Sequence, residues 1–304
     1  MKLHKSIGLV SPLILLFTNS AAAQGLSYVQ HENVVYAETD GIGLLMDVFT
    51  PKSKTNGLGI VDVISGAWHS DRGKIRDHER AQTFQILCAK GYTVFAVRPG
   101  SISKFSVPEM VANLNQGIRW VKDHSADYGV DRDRLGLMGA SAGGHLACLA
   151  AVTAESVDAA SKSDEESTDP RVRAAAVFFP PTDFLNYNGK EIDARKDDEL
   201  SRLVRRLAFP QGLNNVTDSE MTQTMTQISP ARLVTPQAPP FLLIHGDADQ
   251  VVPLQQSELM LAALKQASVP AELVVKQGGG HPWLTIHEEV KLLADWFDKQ
   301  LAQE

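Results

Sequence analysis

The pentapeptide Gly139-Ala140-Ser141-Ala142-Gly143 sets a serine hydroxyl among small residues. The apolar run Leu135 to Met138 before it reads as a buried strand, and the Ala-rich stretch Ala142 to Ala154 after it reads as a helix. Strand, tight turn and helix in that order form a nucleophile elbow, which exposes the serine Oγ at the carboxyl end of a sheet. Small residues at 139 and 143 leave room where a side chain would strike neighbouring backbone. The helix start also points its positive dipole end at the place where negative charge develops.

A serine hydroxyl attacks only when a base takes its proton, and this arrangement draws its acid and then its base from later in the chain. The run Phe241 to Ile244 reads as a strand that enters His245-Gly246-Asp247-Ala248-Asp249. A carboxylate just past a strand can hold an imidazole in the correct tautomer. Two aspartates compete for that role: Asp249 is the choice, with Asp247 shaping the loop. The last strand, Leu273 to Val275, leads into Gln277-Gly278-Gly279-Gly280-His281-Pro282-Trp283, so His281 is the expected general base. His287 competes but falls at a helix start, and the remaining histidines, His69, His78, His124 and His145 among them, read as structural or surface residues.

An oxyanion needs N–H donors. Ala142 supplies one, and Ser65-Gly66-Ala67-Trp68, after the strand Ile60 to Ile64, supplies Gly66 and Ala67 as the others. Trp68 and Trp283 are the expected substrate-binding side chains. No H-E-x-x-H run or Cys/His cluster suggests a metal, and no cofactor is implied. Cys88 and Cys148 stand in apolar helical contexts and read as buried thiols.

The elements that carry these residues alternate. Strands are expected at Leu44 to Phe49, Ile60 to Ile64, Thr93 to Val97, Leu135 to Met138, Ala174 to Phe179, Phe241 to Ile244 and Leu273 to Val275. Helices are expected at Arg76 to Lys90, Pro108 to Ser125, Ala142 to Ala154, Leu254 to Ala267 and Glu288 to Leu301. Alternation with near-continuous apolar strands implies one doubly wound, mostly parallel sheet covered on both faces. Glu155 to Pro170 is acidic and Ser-rich, the composition of an exposed loop. Asn186 to Pro230 is a longer insertion in which Leu200, Leu203, Val204 and Leu207 follow a helical stripe. It reads either as a lid over a site or as a peripheral helix packed on the core.

Six segments then appear in a familiar order: Ser65-Gly66-Ala67-Trp68, Tyr128-Gly129-Val130-Asp131, Gly139 to Ala147, Pro181-Thr182-Asp183, His245 to Asp249, and Gly280-His281. Together they resemble the α/β-hydrolases of the feruloyl and acetyl-xylan esterase group, which are similar to hormone-sensitive-lipase-type esterases and prolyl oligopeptidase catalytic domains. The resemblance spans roughly Val34 to Leu301. It implies an α/β-hydrolase fold, ester hydrolysis and, as the acid, the second aspartate of His-Gly-Asp-x-Asp, which is Asp249. The chain departs from the group where Ile64-Ser65-Gly66-Ala67 replaces the usual His-Gly-Gly-Gly or His-Gly-Gly-Ala.

Bulk composition narrows the functions. The chain has 304 residues, 43% hydrophobic and 21% charged, as in an ordinary globular protein. Its formal net charge of −7 disfavours nucleic acid as a partner. Lys2 and Lys5, the apolar stretch Ile7 to Phe17 and Ala21-Ala22-Ala23 read as a signal peptide over residues 1–23. Its apolar stretch is shorter than the roughly 20 residues of a membrane span, so no stable membrane anchor is expected. Cleavage after Ala23 makes a secreted or periplasmic enzyme with its hydrolase domain in residues 24–304. The leading function is hydrolysis of small-molecule or carbohydrate esters through an acyl-enzyme on Ser141. The alternatives are a serine peptidase of prolyl-oligopeptidase type and a catalytically silent binding module.

Overall fold

The computed structural model describes residues 25–39, 41–154 and 168–302. The expected signal peptide and most of the acidic Glu155 to Pro170 stretch lie outside the described residues. Eight strands form one sheet: β1 (Tyr28–Thr39), β2 (Ile42–Pro51), β3 (Gly59–Val63), β4 (Thr93–Arg98), β5 (Leu135–Ala140), β6 (Ala174–Phe178), β7 (Phe241–Gly246) and β8 (Ala271–Lys276). Their spatial order is β1-β2-β4-β3-β5-β6-β7-β8. β1 pairs antiparallel with β2, and β2 with β4; every later pair is parallel.

The period of two along each strand splits the core into two layers. Val61 and Val63 of β3 join Phe95 and Val97 of β4 on one face, under α3 (Val107–Asp123), α4 (Ala142–Thr153) and α7 (Gln255–Gln266). Ile60, Val94 and Ala96 turn to the other face, under α1 (Arg72–Arg80), α2 (Thr83–Ala89) and α8 (Ile286–Leu301). Burial on both faces explains why β3 to β7 read as unbroken apolar runs.

Two features differ from the sequence expectation. β1 was not expected; its Gln30-His31-Glu32-Asn33 stretch hides the alternation, and as an edge strand it presents mostly exposed or half-buried side chains and a register shift between His31 and Val34. The helix expected at Arg76 to Lys90 is two helices, because Gln82 takes a left-handed φ of 59° that ends α1 and starts α2. The insertion after Asn186 holds α5 (Glu199–Ala208) and α6 (Asp218–Gln227). α5 is capped by Asp198, whose side chain accepts from the Ser201 N–H.

Candidate active site

Ser141 stands between β5 and α4 with φ 54° and ψ −120°, a strained conformation for a residue with a side chain. Its neighbours hold it there. The Ser141 N–H donates to the Phe178 carbonyl at 2.9 Å, and the His145 N–H donates to the Ser141 carbonyl at 2.9 Å. A Cβ on Gly139 would lie 2.5 Å from the Gly143 carbonyl carbon and oxygen, and one on Gly143 would strike the Val63 carbonyl oxygen. The two glycines are therefore a packing requirement of the elbow.

The structure brings the three expected chemical groups together. Ser141 Oγ lies 2.9 Å from His281 Nε2, and His281 Nδ1 lies 2.6 Å from Asp249 Oδ2. The other carboxylate oxygen of Asp249 accepts the Val251 and Val252 N–H groups at 2.8 and 2.9 Å. Burial opposes ionisation of Asp249, but hydrogen bonds from His245, His281 and the Val252 amide outweigh it and hold the carboxyl well below the usual carboxylate range. Asp247 points elsewhere and accepts the Gly278 N–H at 2.6 Å, tying the β7 loop to the β8 loop that carries His281. The Phe179 ring packs 4.3 Å, centroid to centroid, from the His281 ring.

The oxyanion loop differs from expectation at one residue. Gly66 donates its N–H to the His69 carbonyl at 2.9 Å, and the His69 N–H returns a bond of 2.9 Å to the Gly66 carbonyl. The Gly66 N–H is thus committed inside a tight turn, and Gly66 is withdrawn as an oxyanion donor. Ala67 and Trp68, the two central residues of that turn, have φ of 47° and 57°. This is a type I′ turn, in which the central N–H groups make no turn hydrogen bond. Ala67 lines the cleft beside Ser141. Ala142, as the first residue of α4, has no intrahelical acceptor for its N–H. Ala67 and Ala142 remain the available pair.

These groups open onto a cleft of about 680 Å³. Trp68 and Trp283 both line it, although both are largely buried and both indole N–H groups are engaged, with His145 Nδ1 and Glu289 Oε2 respectively. Leu200 and Leu203 of α5, with Tyr187, add an apolar wall from the insertion. α1 adds a polar wall of Lys74, Asp77, His78 and Arg80. The first wall follows the reading of Asn186 to Pro230 as a segment over the site; the second was not expected. A short insertion helix with apolar residues on two flanks was the available signal for the first; nothing in the pattern of α1 marks the second. Among the described residues no group of three or more His, Cys, Asp or Glu could hold a metal ion, and no helix is long and apolar enough to cross a membrane. Cys88 and Cys148 are free and buried.

The doubly wound sheet, the elbow and the Ser–His–Asp alignment define an α/β-hydrolase. More narrowly, residues 46–264 match the BD-FAE family model, and the chain belongs to that family. It is similar to the probable carboxylic ester hydrolase LipM of Mycobacterium tuberculosis, with 29% identity over 69% of this chain and 45% of the relative. It is also similar to the isoprenylcysteine alpha-carbonyl methylesterase ICME of Arabidopsis thaliana, with 27% identity over 81% of this chain and 55% of that protein. The chain spans about half the length of the curated relatives it matches. Among solved structures, a truncated carbohydrate esterase from gut microbiota superposes with a TM-score of 0.76 at 25% identity, covering 91% of this chain and 98% of the other. The propionate-bound esterase Est2 of Thermogutta terrifontis shares the fold, with a TM-score of 0.65 at 23% identity over 89% and 94% of the two chains.

Proposed function

We propose that this protein is a serine hydrolase that cleaves carboxylic esters, with acetyl or feruloyl esters of carbohydrates as the substrate class. The observation that carries the reading is the continuous line from Ser141 Oγ through His281 to Asp249, with separations of 2.9 and 2.6 Å. His281 Nε2 takes the Ser141 proton as Oγ attacks the ester carbonyl. The carbonyl oxygen becomes an oxyanion facing the Ala67 and Ala142 N–H groups. The imidazolium, steadied by Asp249, returns the proton to the departing alcohol and leaves an acyl group on Ser141. Water, deprotonated by the same imidazole, then releases the acid and frees the serine.

Two observations support a sugar alcohol. The wall of Lys74, Asp77, His78 and Arg80 offers both donors and acceptors to hydroxyl groups. The chain also resembles a carbohydrate esterase over nearly the whole length of that structure. An apolar or aryl acyl group finds Phe184, Tyr187, Leu200 and Leu203 in the same cleft. A fluorophosphonate probe should label Ser141, and Ser141→Ala should abolish labelling and lower kcat by a factor of about 10⁴ without changing the circular dichroism spectrum. Aryl esters from acetate to decanoate, with feruloyl and acetylated sugars beside them, test the substrate class. An unlabelled protein would be a binding module, and indifference to the sugar esters would remove the carbohydrate assignment. The reading includes export after cleavage near Gln24; N-terminal sequencing that finds Met1 on the active protein would refute it.

A further inference from the structure

Ala67 and Trp68 are consecutive residues with side chains in left-handed backbone conformation, at φ 47° and 57°. Type I′ turns ordinarily place Asn or Gly there, because other residues are strained. Such strain persists only where surrounding structure over-determines it. Besides the turn's own Gly66–His69 pair, two tertiary bonds hold it. The Ile102 N–H donates to the Trp68 carbonyl at 2.8 Å, and Trp68 Nε1 donates to His145 Nδ1 at 3.1 Å.

His145 is fully buried in the first turn of α4, and its own N–H bonds the Ser141 carbonyl. Its Nε2 reaches the Ile228 carbonyl at 2.8 Å, just past α6 and near the end of the insertion. The Phe184 ring packs against its edge at 5.3 Å. The chemistry admits one protonation state. An indole N–H can only donate, so Nδ1 must carry a lone pair, and the ring proton must sit on Nε2 to donate to Ile228. An imidazolium would set an N–H against the Trp68 N–H. Burial pushes the imidazole pKa down to about 4, which keeps the ring neutral.

We propose that His145 is a positioning residue that locks the strained oxyanion turn in its donor geometry and ties that turn to the inserted segment. The proposal rests on the esterase reading above. Without the anchor, Trp68 can relax and carry the Ala67 N–H away from the oxyanion. The cost then falls on a bond made in the transition state, hence on kcat more than on KM.

Three variants separate the two arms of the imidazole. His145→Asn keeps an acceptor near the Nδ1 position. His145→Gln carries its amide further out, within reach of Ile228 but with no acceptor for Trp68. His145→Phe removes both. The Gln and Phe variants should lose about 10–100-fold in kcat with KM within about threefold, and His145→Asn should recover most of the loss. The inhibition constant of an aryl trifluoromethyl ketone, whose serine adduct carries the oxyanion, should weaken in step with kcat/KM. If His145→Phe fails to fold, Trp68→Phe removes the same bond from the other side and should show the same kcat-selective loss. The indole N–H resonance of Trp68 gives a readout independent of turnover: it should shift in His145→Gln and stay in place in His145→Asn. An Asn variant as poor as Phe, a loss confined to KM, or unchanged ketone binding would overturn the proposal. A wild-type protein that hydrolyses no ester and takes no phosphonate would instead defeat the functional reading, leaving the resonance to judge the link.

Discussion

Asp249 is held from three sides, by His281 on one oxygen and by the Val251 and Val252 N–H groups on the other. An amide at this position keeps its oxygen on the Val251 and Val252 N–H groups and turns its NH₂ toward His281, which holds the ring in the tautomer that cannot take the Ser141 proton. Asp249→Asn should therefore lower kcat by about 10³–10⁴. Asp247→Asn should do far less, because Asp247 only pins the Gly278 N–H. Steady-state rates on one aryl acetate decide between them, and the reverse ranking would move the acid to Asp247. The proposed triad was legible because each member sits on a short loop past the carboxyl end of a parallel strand, buried for β5 and β7 and half-exposed at the sheet edge for β8. The Gly66 donor was misread for a physical reason. Which N–H of a four-residue turn is free depends on its φ angles, and Ala67-Trp68 carries none of the Gly or Asn signal that would announce a type I′ turn. His145 passed as a structural or surface histidine because its partners, Trp68 and Ile228, lie far from it in the chain.

α5 divides its apolar residues between two tasks. Val204 and Leu207 are fully buried in the core, whereas Leu200 and Leu203 are half-buried, packing against the core and lining the cleft. The stripe read from the sequence was thus correct as a helix but silent on which flank meets substrate, since both flanks are equally apolar. A side chain enlarged at the cleft flank should narrow the acyl site, while Val204 and Leu207 keep the helix anchored in the core. Leu203→Trp should lower kcat/KM for octanoyl and feruloyl esters by about tenfold while acetyl esters change less than about twofold. A matched set of aryl esters checks this; an equal loss on acetate would mean that α5 supports the site only by packing. The parallel strands were legible for a related reason. Burial on both faces makes β3 to β7 uniformly apolar, whereas the antiparallel edge strand β1, with exposed polar residues, has no such mark. The break between α1 and α2 also escaped the sequence, because Gln82 adopts its left-handed conformation with no glycine or proline to signal it.

Across the whole molecule two histidines with shifted pKa, His78 and His145, push stability in opposite directions with pH. Burial alone would lower the pKa of His78, but the Asp62 carboxylate 2.7 Å away outweighs it and raises the pKa above the ordinary 6.5. The folded protein therefore holds the His78 proton more tightly than the unfolded chain. The stability this contributes is fully present below 6.5 and is lost as pH rises through the folded pKa. His145 behaves in the reverse sense, because burial, only partly offset by the Ile228 carbonyl, takes its pKa from 6.5 down to about 4. The unfolded chain takes up that proton first, so the His145 contribution is present above 6.5 and is lost as pH falls toward 4. A shift of that size corresponds to something on the order of 3 kcal/mol. The carboxylates with lowered pKa, Asp249 and Glu109 among them, act in the same sense as His145 but only below their ordinary values of 3.8 and 4.5. The two histidine windows meet at the unperturbed imidazole value, so stability should peak near pH 6.5 and decline on both sides. Urea midpoints measured at about pH 8, 6.5 and 4.5 follow the curve. His145→Asn should flatten the acid limb and leave the alkaline limb unchanged, while His78→Gln should do the opposite. A wild-type acid limb that survives in His145→Asn would show that the imidazole is not buried as a neutral ring, and the link from Trp68 to Ile228 would fail with it.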